Sequence, residues 1–187
     1  MPYFKRLVGK KCYLSPMNPE DAPKYVGWFS DLEVAVNLKT QMNINLLSER
    51  EFLEKNLKDG NPIFAIIDLA TDKLIGNCGL HDIGWVGRHA EFGILIGEKE
   101  YWNKGYGEEA TRLILDFGFN IINLHNIFLK VMEFNKRAVR AYEKAGFKQI
   151  GRWRKAFQIA GKRYDFILMD ILADEYESGY VKNFIKE

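Results

Sequence analysis

Two glycines stand at a point in the sequence where a phosphate group could bind. Gly105 and Gly107 lie between a run of β-branched and aromatic residues and a segment with helical periodicity. Glycines let backbone N–H groups approach a phosphate closely, and a helix N-terminus adds unpaired donors and a favourable dipole. The pattern favours an anion site, while a plain turn before a helix stays open as the alternative.

The same segment invites comparison with a dinucleotide-binding fingerprint, because the sequence from Gly105 to Ala110 has the form Gly-x-Gly-x-x-Ala. That fingerprint follows directly on the first strand of a parallel unit, with an acidic residue about 20 positions later. Here eight residues separate Ile96 from Gly105, and Glu133 lies too far downstream. The context argues against a nucleotide-dependent oxidoreductase, and no Walker-type loop is present in the sequence.

Two carboxylates argue against a phosphate at this position. Glu108 and Glu109 fall in the first turn of the predicted helix, where they suit the helix dipole but repel an anion. A phosphate site therefore requires both side chains to point away from the ligand.

A second group of polar residues follows further along the chain. Asn135 ends a predicted strand, and Tyr142 lies on the apolar stripe of the next predicted helix. Periodicity alone favours a core tyrosine at position 142. Its chemistry would be that of a phenol, which can donate a proton to a leaving group.

The two segments together resemble the acetyl-coenzyme A dependent GNAT N-acetyltransferases. The resemblance is firm over Pro62 to Asp170 and loose over the N-terminal helices. The family's first motif, Gln/Arg-x-x-Gly-x-Gly/Ala, maps onto Trp102 to Gly107, with Trp102 at the Gln/Arg position. That departure is typical of the branch that includes ribosomal-protein N-terminal acetyltransferases and resembles spermidine N-acetyltransferases.

The resemblance implies acetyl-CoA as cosubstrate and indicates the residues that would hold it. Backbone N–H groups of the glycine loop would bind the pyrophosphate, and the strand before it would pair with the pantetheine arm after a bulge at Gly93. Asn135 would bond the pantetheine region. The full set of expected coenzyme-binding residues is Leu95, Ile96, Asn103, Lys104, Gly105, Tyr106, Gly107, Glu108 and Asn135.

Amide formation from a thioester needs a neutral amine, a stabilised oxyanion and a proton for the departing thiolate. By the resemblance, Tyr142 is the general acid and Glu91 is the general base, acting directly or through water. From the residue pattern alone, Glu91 is equally a solvated strand-edge carboxylate. A backbone N–H near Leu95 would serve the oxyanion, and His81 is the second candidate for the base.

The expected reaction moves an acetyl group to a primary amine, on a protein N-terminus, a polyamine or another small amine, by direct attack in a ternary complex. A covalent route would need an activated thiol, and neither Cys12 nor Cys78 lies in such a motif. The alternative from another class is a catalytically idle GNAT-like module that binds coenzyme A or a partner. Five aromatic residues are candidates for the acceptor pocket or for packing: Trp28, Trp85, Trp153, Phe157 and Tyr164.

The composition restricts the remaining function classes. The 187 residues include 27 Lys and Arg against 25 Asp and Glu, and a net charge of +2 gives no basic field for nucleic acid. Two cysteines without a Cys-x-x-Cys, and three histidines without ligand spacing, predict no metal site. The first residues lead into no apolar stretch long enough for a signal peptide, and no later apolar run approaches about 18 residues, so we expect a cytoplasmic protein without a membrane partner. Dimers are common in the resembled family, which makes a homodimer an expectation.

Periodicity and turn signals predict the elements that position these residues. The predicted helices run from the Asn18 cap to Phe29, from a Ser48 capping box to Lys58, from Gly105 past Ile121, and to Ala145 before a Gly146 cap. The predicted strands cover 11–14, 62–69, 74–82, 89–96, 126–133, 148–154 and 164–171.

This succession predicts an α/β (α+β) fold formed by one domain over residues 1–187. By the resemblance, its central sheet is mixed, mostly antiparallel and roughly seven-stranded, with helices on both faces. A V-shaped splay is expected between the strands near 89–96 and 126–133.

Overall fold

The computed structural model describes residues 2–39, 43–177 and 179–181. Its strands are β1 (Leu7–Val8), β2 (Cys12–Pro16), β3 (Ile63–Asp68), β4 (Leu74–Gly84), β5 (His89–Ile96), β6 (Asn126–Met132), β7 (Lys148–Ile159) and β8 (Lys162–Leu172). Its helices are α1 (Ala22–Ser30), α2 (Leu32–Ala35), α3 (Leu46–Lys58), α4 (Tyr106–Asn120) and α5 (Lys136–Ala145), with 3₁₀ turns at Pro19–Asp21, Lys99–Tyr101 and Ala173–Glu175.

The eight strands form one sheet in the order β1-β2-β3-β4-β5-β6-β8-β7. Neighbouring strands are antiparallel except β5 and β6, which run parallel and are joined through α4. A parallel pair needs such a crossover, because a tight turn can join only antiparallel strands. The mixed, mostly antiparallel sheet is confirmed, with one strand more than the rough expectation of seven.

The two faces of the sheet carry separate apolar clusters. Leu14 and Ile66 pack with α4 residues such as Leu113 in one cluster, whereas Tyr13 and Ile67 pack with α1 and α3 in the other. This alternation follows from the strand period of two, which sends successive side chains to opposite faces. Helices therefore cover both faces, as expected.

The sheet opens between β5 and β6. Their pairing consists of His89↔Asn126, Ala90↔Ile127 and Glu91↔Phe128. Beyond Glu91, β5 stays paired with β4 as far as Ile96, while β6 stays paired with β8. The expected V-shaped splay is confirmed, and it leaves one edge of β5 without a strand partner.

Two local expectations are wrong. The register of β4 and β5 runs regularly through Gly93, so the bulge expected there is absent, and the register shift lies between His81 and Gly84. Helix α3 is capped by Asn45, whose Oδ1 accepts hydrogen bonds from the N–H groups of Leu47 and Ser48. Ser48 occupies the third helical position and accepts from the Asn45 N–H, so the capping box starts three residues earlier than predicted.

The strand following α5 is longer than predicted, because β7 and β8 meet at a two-residue turn, Ala160–Gly161. Both turn residues have positive φ, the geometry that matches the twist of paired strands. The prediction of one domain over residues 1–187 includes positions 1, 40–42, 178 and 182–187, which lie outside the described residues.

Candidate active site

The loop of residues 103–107, called here the phosphate loop, leads into the N-terminus of α4. Gly105 is its N-cap residue in the left-handed region, with φ of 84°, and makes no side-chain cap. The first-turn N–H groups of Tyr106, Gly107 and Glu108 donate no hydrogen bond within the described part of the chain. These free donors at the positive end of the helix dipole form a fitting anion site.

The two carboxylates that argued against this site are directed elsewhere. Glu109 accepts hydrogen bonds from the N–H groups of Lys10, Lys11 and Cys12 at 2.9, 2.7 and 2.9 Å, which ties the start of α4 to the β1–β2 turn. Glu108 lies 3.5 Å from Arg112 Nε, one turn further along α4. The Glu109 carboxylate therefore points away from the loop. The Arg112 guanidinium balances the charge of Glu108.

Lys11 adds a positive charge beside the phosphate loop. Its Nζ donates to the Lys104 carbonyl oxygen at 2.5 Å and lies 3.2 Å from the position that a Cβ on Gly105 would take. Lys104 is not among the residues that line the cavity described below, whereas Asn103 is. A role of Lys104 in coenzyme binding stays a prediction.

Backbone pairing decides which β5 residues can meet a ligand in the splay. The Gly97 N–H donates to the Ile75 carbonyl oxygen at 2.9 Å, and hydrogen-bonded pairs alternate along an antiparallel ladder. Leu95, two residues before Gly97, therefore directs its N–H and C=O toward β4. The Leu95 N–H therefore does not face the splay, and an oxyanion donor near Leu95 would have to come from a neighbouring residue.

The residues that direct backbone groups toward the splay are Phe92, Ile94 and Ile96. The Ile96 carbonyl oxygen already accepts a hydrogen bond from Trp102 Nε1 at 2.8 Å. The Ile94 N–H and C=O are therefore the backbone groups best placed to pair with an extended ligand in the splay.

Asn135 and Arg137 lie at the start of α5, on the other side of the splay. The Asn135 Oδ1 accepts from the Ala138 N–H at 3.2 Å and caps the helix, which leaves the side-chain NH₂ as a donor. The Arg137 guanidinium carbon lies 3.6 Å from the centre of the Trp102 ring. Arg137 was missed in the sequence, although its place two residues after Asn135 in a helix first turn was a usable signal.

Tyr142 lies on the α5 stripe and lines the same cavity as the phosphate loop. Its ring meets Phe92 and Phe147 edge-on, with centroids 6.0 Å away in both cases. Burial raises the pKa of the Tyr142 hydroxyl well above its ordinary value, although the positive charge of Arg137 partly opposes this. The phenol therefore keeps its proton across the neutral range.

Glu91 is held between two lysines. Its Oε1 pairs with Lys39, and its Oε2 lies 3.0 Å from Lys130 Nζ. Burial would raise the pKa of the Glu91 carboxyl, but hydrogen bonds and charges from both lysines outweigh it and hold the pKa below its usual range. Sequence reasoning missed both lysines, although Lys130 is the single charge in the otherwise apolar strand β6 from Ile127 onward.

His81 faces Glu91 across the β4–β5 ladder. Burial lowers the pKa of the His81 ring below 6.5, despite the opposing charges of Asp82 and Glu91. The ring is therefore neutral at pH 7 and able to accept a proton.

One cavity of about 770 Å³ connects these groups. It is lined by the phosphate loop, the open edge of β5, Asn135, Arg137 and Tyr142, and also by Glu91 and His81. The five aromatic residues that were candidates for the acceptor pocket or for packing do not line it: Trp28, Trp85, Trp153, Phe157 and Tyr164. The aromatic residues that do so are instead Phe29, Phe52, Phe92, Tyr101, Trp102, Tyr106 and Tyr142.

Both cysteines are buried, and desolvation raises the pKa of each thiol, so neither is an activated nucleophile.

Among the described residues, no group of three or more His, Cys, Asp or Glu side chains is arranged to hold a metal ion. Within the same residues, no helix has the length and apolar character needed to cross a membrane.

Comparisons with known proteins agree with this geometry. The family model described as an acetyltransferase (GNAT) domain matches residues 11–148. An uncharacterized N-acetyltransferase, p20 of Bacillus licheniformis, is 28% identical over 177 residues, which cover 92% of this chain and 99% of the relative. A spermidine N(1)-acetyltransferase of Vibrio cholerae serotype O1 is 35% identical over 126 residues, which cover 67% of this chain and 72% of the relative.

A similar solved structure is the spermidine N-acetyltransferase of Vibrio cholerae in complex with CoA and spermine, with a TM-score of 0.82 and 28% identity over 89% of this chain and 98% of that one. The family match covers most of the chain, and it agrees with the splayed strands and the glycine-capped helix. The chain therefore belongs to the GNAT acetyltransferase family and is an N-acetyltransferase.

Proposed function

We propose that the protein transfers the acetyl group of acetyl-CoA to a primary amine by direct attack in a ternary complex, with residues 1–187 acting as one domain. The observation that carries this proposal is the single cavity lined by the phosphate loop, Tyr142 and Glu91. The acceptor classes predicted from the sequence are a protein N-terminus, a polyamine or another small amine. A cytoplasmic location, a homodimer and the lack of a nucleic-acid partner stay predictions.

The residues present fit the coenzyme on several counts. The uncapped first turn of α4 offers the N–H groups of residues 106–108 to a pyrophosphate, and Lys11 adds a cation beside them. The free edge of β5 offers the Ile94 C=O to an amide N–H of a pantetheine arm, in the manner of an added strand. The Asn135 NH₂ remains available to bond the same arm.

Bound acetyl-CoA supplies an acyl thioester, and the chain supplies the proton transfers around it. The Ile94 N–H is the backbone donor assigned to the acyl oxygen, where it stabilises the negative charge that develops as the amine attacks. Tyr142 gives its proton to the sulfur as the C–S bond breaks, because its raised pKa keeps the phenol protonated until a thiolate develops.

The attacking amine loses a proton to Glu91, through a water where the distance requires one. The Lys39 and Lys130 partners keep Glu91 ionised, which makes it available but a weaker base than an isolated carboxylate. His81 is the second candidate, because it is neutral and lies beside Glu91.

The test is to incubate the full chain with acetyl-CoA and a panel of primary amines that includes short peptides, polyamines, aminoglycosides and amino acids. Thiol release and the mass of the acetylated product are measured together. We expect equal amounts of thiol and acetylated amine for at least one class. Tight coenzyme binding without any acetylated amine would favour the idle module over this proposal.

A further inference from the structure

The charged groups at the end of the cavity opposite the phosphate loop indicate which kind of acceptor amine can bind there. An extended strand rises about 3.3 Å per residue, so Glu91 lies roughly 17 Å from Ile96 along β5. The cavity-lining residues that pair with Glu91, face it across the ladder or adjoin such a residue are called here the acceptor end. They are Lys39, His81, Asp82 and Lys130.

Cations are more open than the carboxylate at the acceptor end. The side chains of Lys39 and Lys130 are 48% and 28% exposed, whereas that of Glu91 is 9% exposed. Each ammonium has three donors, and an ion pair with Glu91 uses only one of them. Further donors of both lysines are therefore available to a molecule in the cavity.

The balance of charge disfavours a polycation. Glu91 is already paired on both oxygens, and the triad of Lys39, Glu91 and Lys130 has one positive charge in excess. Asp82 is the other carboxylate among the described residues that line this end, and it only balances that excess. A polyamine would bring further ammonium groups next to two lysines without a matching set of free carboxylates.

We propose that the acceptor is a small primary amine that carries a carboxylate on the same molecule, as an amino acid does. The carboxylate is bound by Lys39 and Lys130, which places the amine beside Glu91 and His81 for deprotonation. This proposal rests on the proposed function and narrows its acceptor class.

The experiment compares substrates that differ only in the carboxylate. Leucine and 3-methylbutylamine share one carbon skeleton, and spermidine serves as the polycation probe. For each, kcat/KM is divided by the fraction of unprotonated amine at the assay pH. The proposal predicts a value at least about tenfold higher for leucine than for 3-methylbutylamine, and a lower value for spermidine than for leucine.

Variants then assign the preference to the lysines. Lys130→Gln and Lys39→Gln should each reduce the ratio of leucine to 3-methylbutylamine to within about threefold. Lys162→Gln removes the same charge from the exposed β7–β8 turn and should leave the ratio unchanged. An unchanged ratio in both cavity variants would overturn the proposal.

The wild-type comparison separates this inference from the proposed function. If leucine is no better than 3-methylbutylamine, or if spermidine exceeds leucine, the acceptor proposal is overturned while acetyl transfer to amines stands. If no amine in the set or in the wider panel is acetylated, the proposed function itself fails.

Discussion

The guanidinium of Arg137 stacks on the indole of Trp102, with 3.6 Å between the guanidinium carbon and the ring centre. The stack joins the start of α5 to the segment that precedes the phosphate loop, on opposite sides of the splay. Arg137 makes no ion pair among the described residues, so its charge is available to an anionic ligand in the cavity.

We expect Arg137→Ala to raise KM and Kd for acetyl-CoA by about tenfold, with a smaller effect on kcat. Arg137→Lys keeps the charge but loses the planar group that stacks, and should recover part of the affinity. Trp102→Leu should also raise KM and Kd for acetyl-CoA. Calorimetry with acetyl-CoA checks this, with Lys136→Ala as the exposed neighbouring control, and unchanged affinity in both Arg137→Ala and Trp102→Leu would refute it.

The pH dependence of activity distinguishes the two candidate bases. The pKa of Glu91 is held low by Lys39 and Lys130, so Glu91 stays ionised from about pH 6 to about pH 9. Glu91→Gln should therefore lower kcat/KM about tenfold or more at every pH in that range, without moving the profile. His81→Asn should retain most of the activity. A large loss in His81→Asn, with disappearance of a limb below about pH 6.5, would assign the base to His81 instead.

Gly97 lies where a side chain has no room. A Cβ at this position would be 2.0 Å from Trp28 Cδ2, and Trp28 Nε1 also donates to Glu98 at 3.1 Å. Gly97→Ala should lower the free energy of unfolding by about 1–3 kcal/mol and raise KM for acetyl-CoA, because the end of β5 must shift. Gly27→Ala in α1 is the matched control and should be neutral or stabilising, since no atom lies within 4 Å of its Cβ position. Equal denaturation midpoints for the two variants would contradict this.

Glu49 makes the free energy of unfolding depend on pH. Burial raises the pKa of its carboxyl to about 7, and it makes no ion pair among the described residues. In the unfolded chain the group titrates near pH 4.3, so between about pH 4.3 and about pH 7 the folded state binds more protons, and stability falls as pH rises.

Glu49→Gln removes this titration. The variant should exceed the wild type by about 1 kcal/mol in unfolding free energy above pH 7, and the advantage should vanish near pH 4. Urea denaturation at several pH values measures the difference. Glu51→Gln, exposed on the same helix, should show no such trend, and identical trends for the two variants would rule out the buried carboxyl as its source.

The sequence predicted those parts of the site that depend on local patterns. Gly146 caps α5 with the predicted left-handed φ, the glycine loop leads into α4 as predicted, and the apolar stripe of α5 carries Tyr142. These features follow from residue type and a period of 3.6, which a single sequence displays. The splay was expected only through the family resemblance.

Long-range relationships were not predictable in the same way. Lys39 and Lys130 reach Glu91 from segments 52 and 39 positions away, and nothing local marks that meeting. The direction of the Leu95 backbone depends on which ladder pairs are hydrogen-bonded, and strand alternation alone does not specify this. The sequence could not tell pocket aromatics from core aromatics, because aromatic residues are frequent in packing as well as in binding.

The most direct test of the account is a steady-state comparison of wild type and Tyr142→Phe with acetyl-CoA and the best amine acceptor. Tyr164→Phe, whose ring lies outside the cavity, is the control. The account predicts that Tyr142→Phe lowers kcat by about a hundredfold or more, with KM for acetyl-CoA changed by less than about threefold. A kcat in Tyr142→Phe equal to that of the wild type would contradict the central claim that this phenol protonates the departing thiolate.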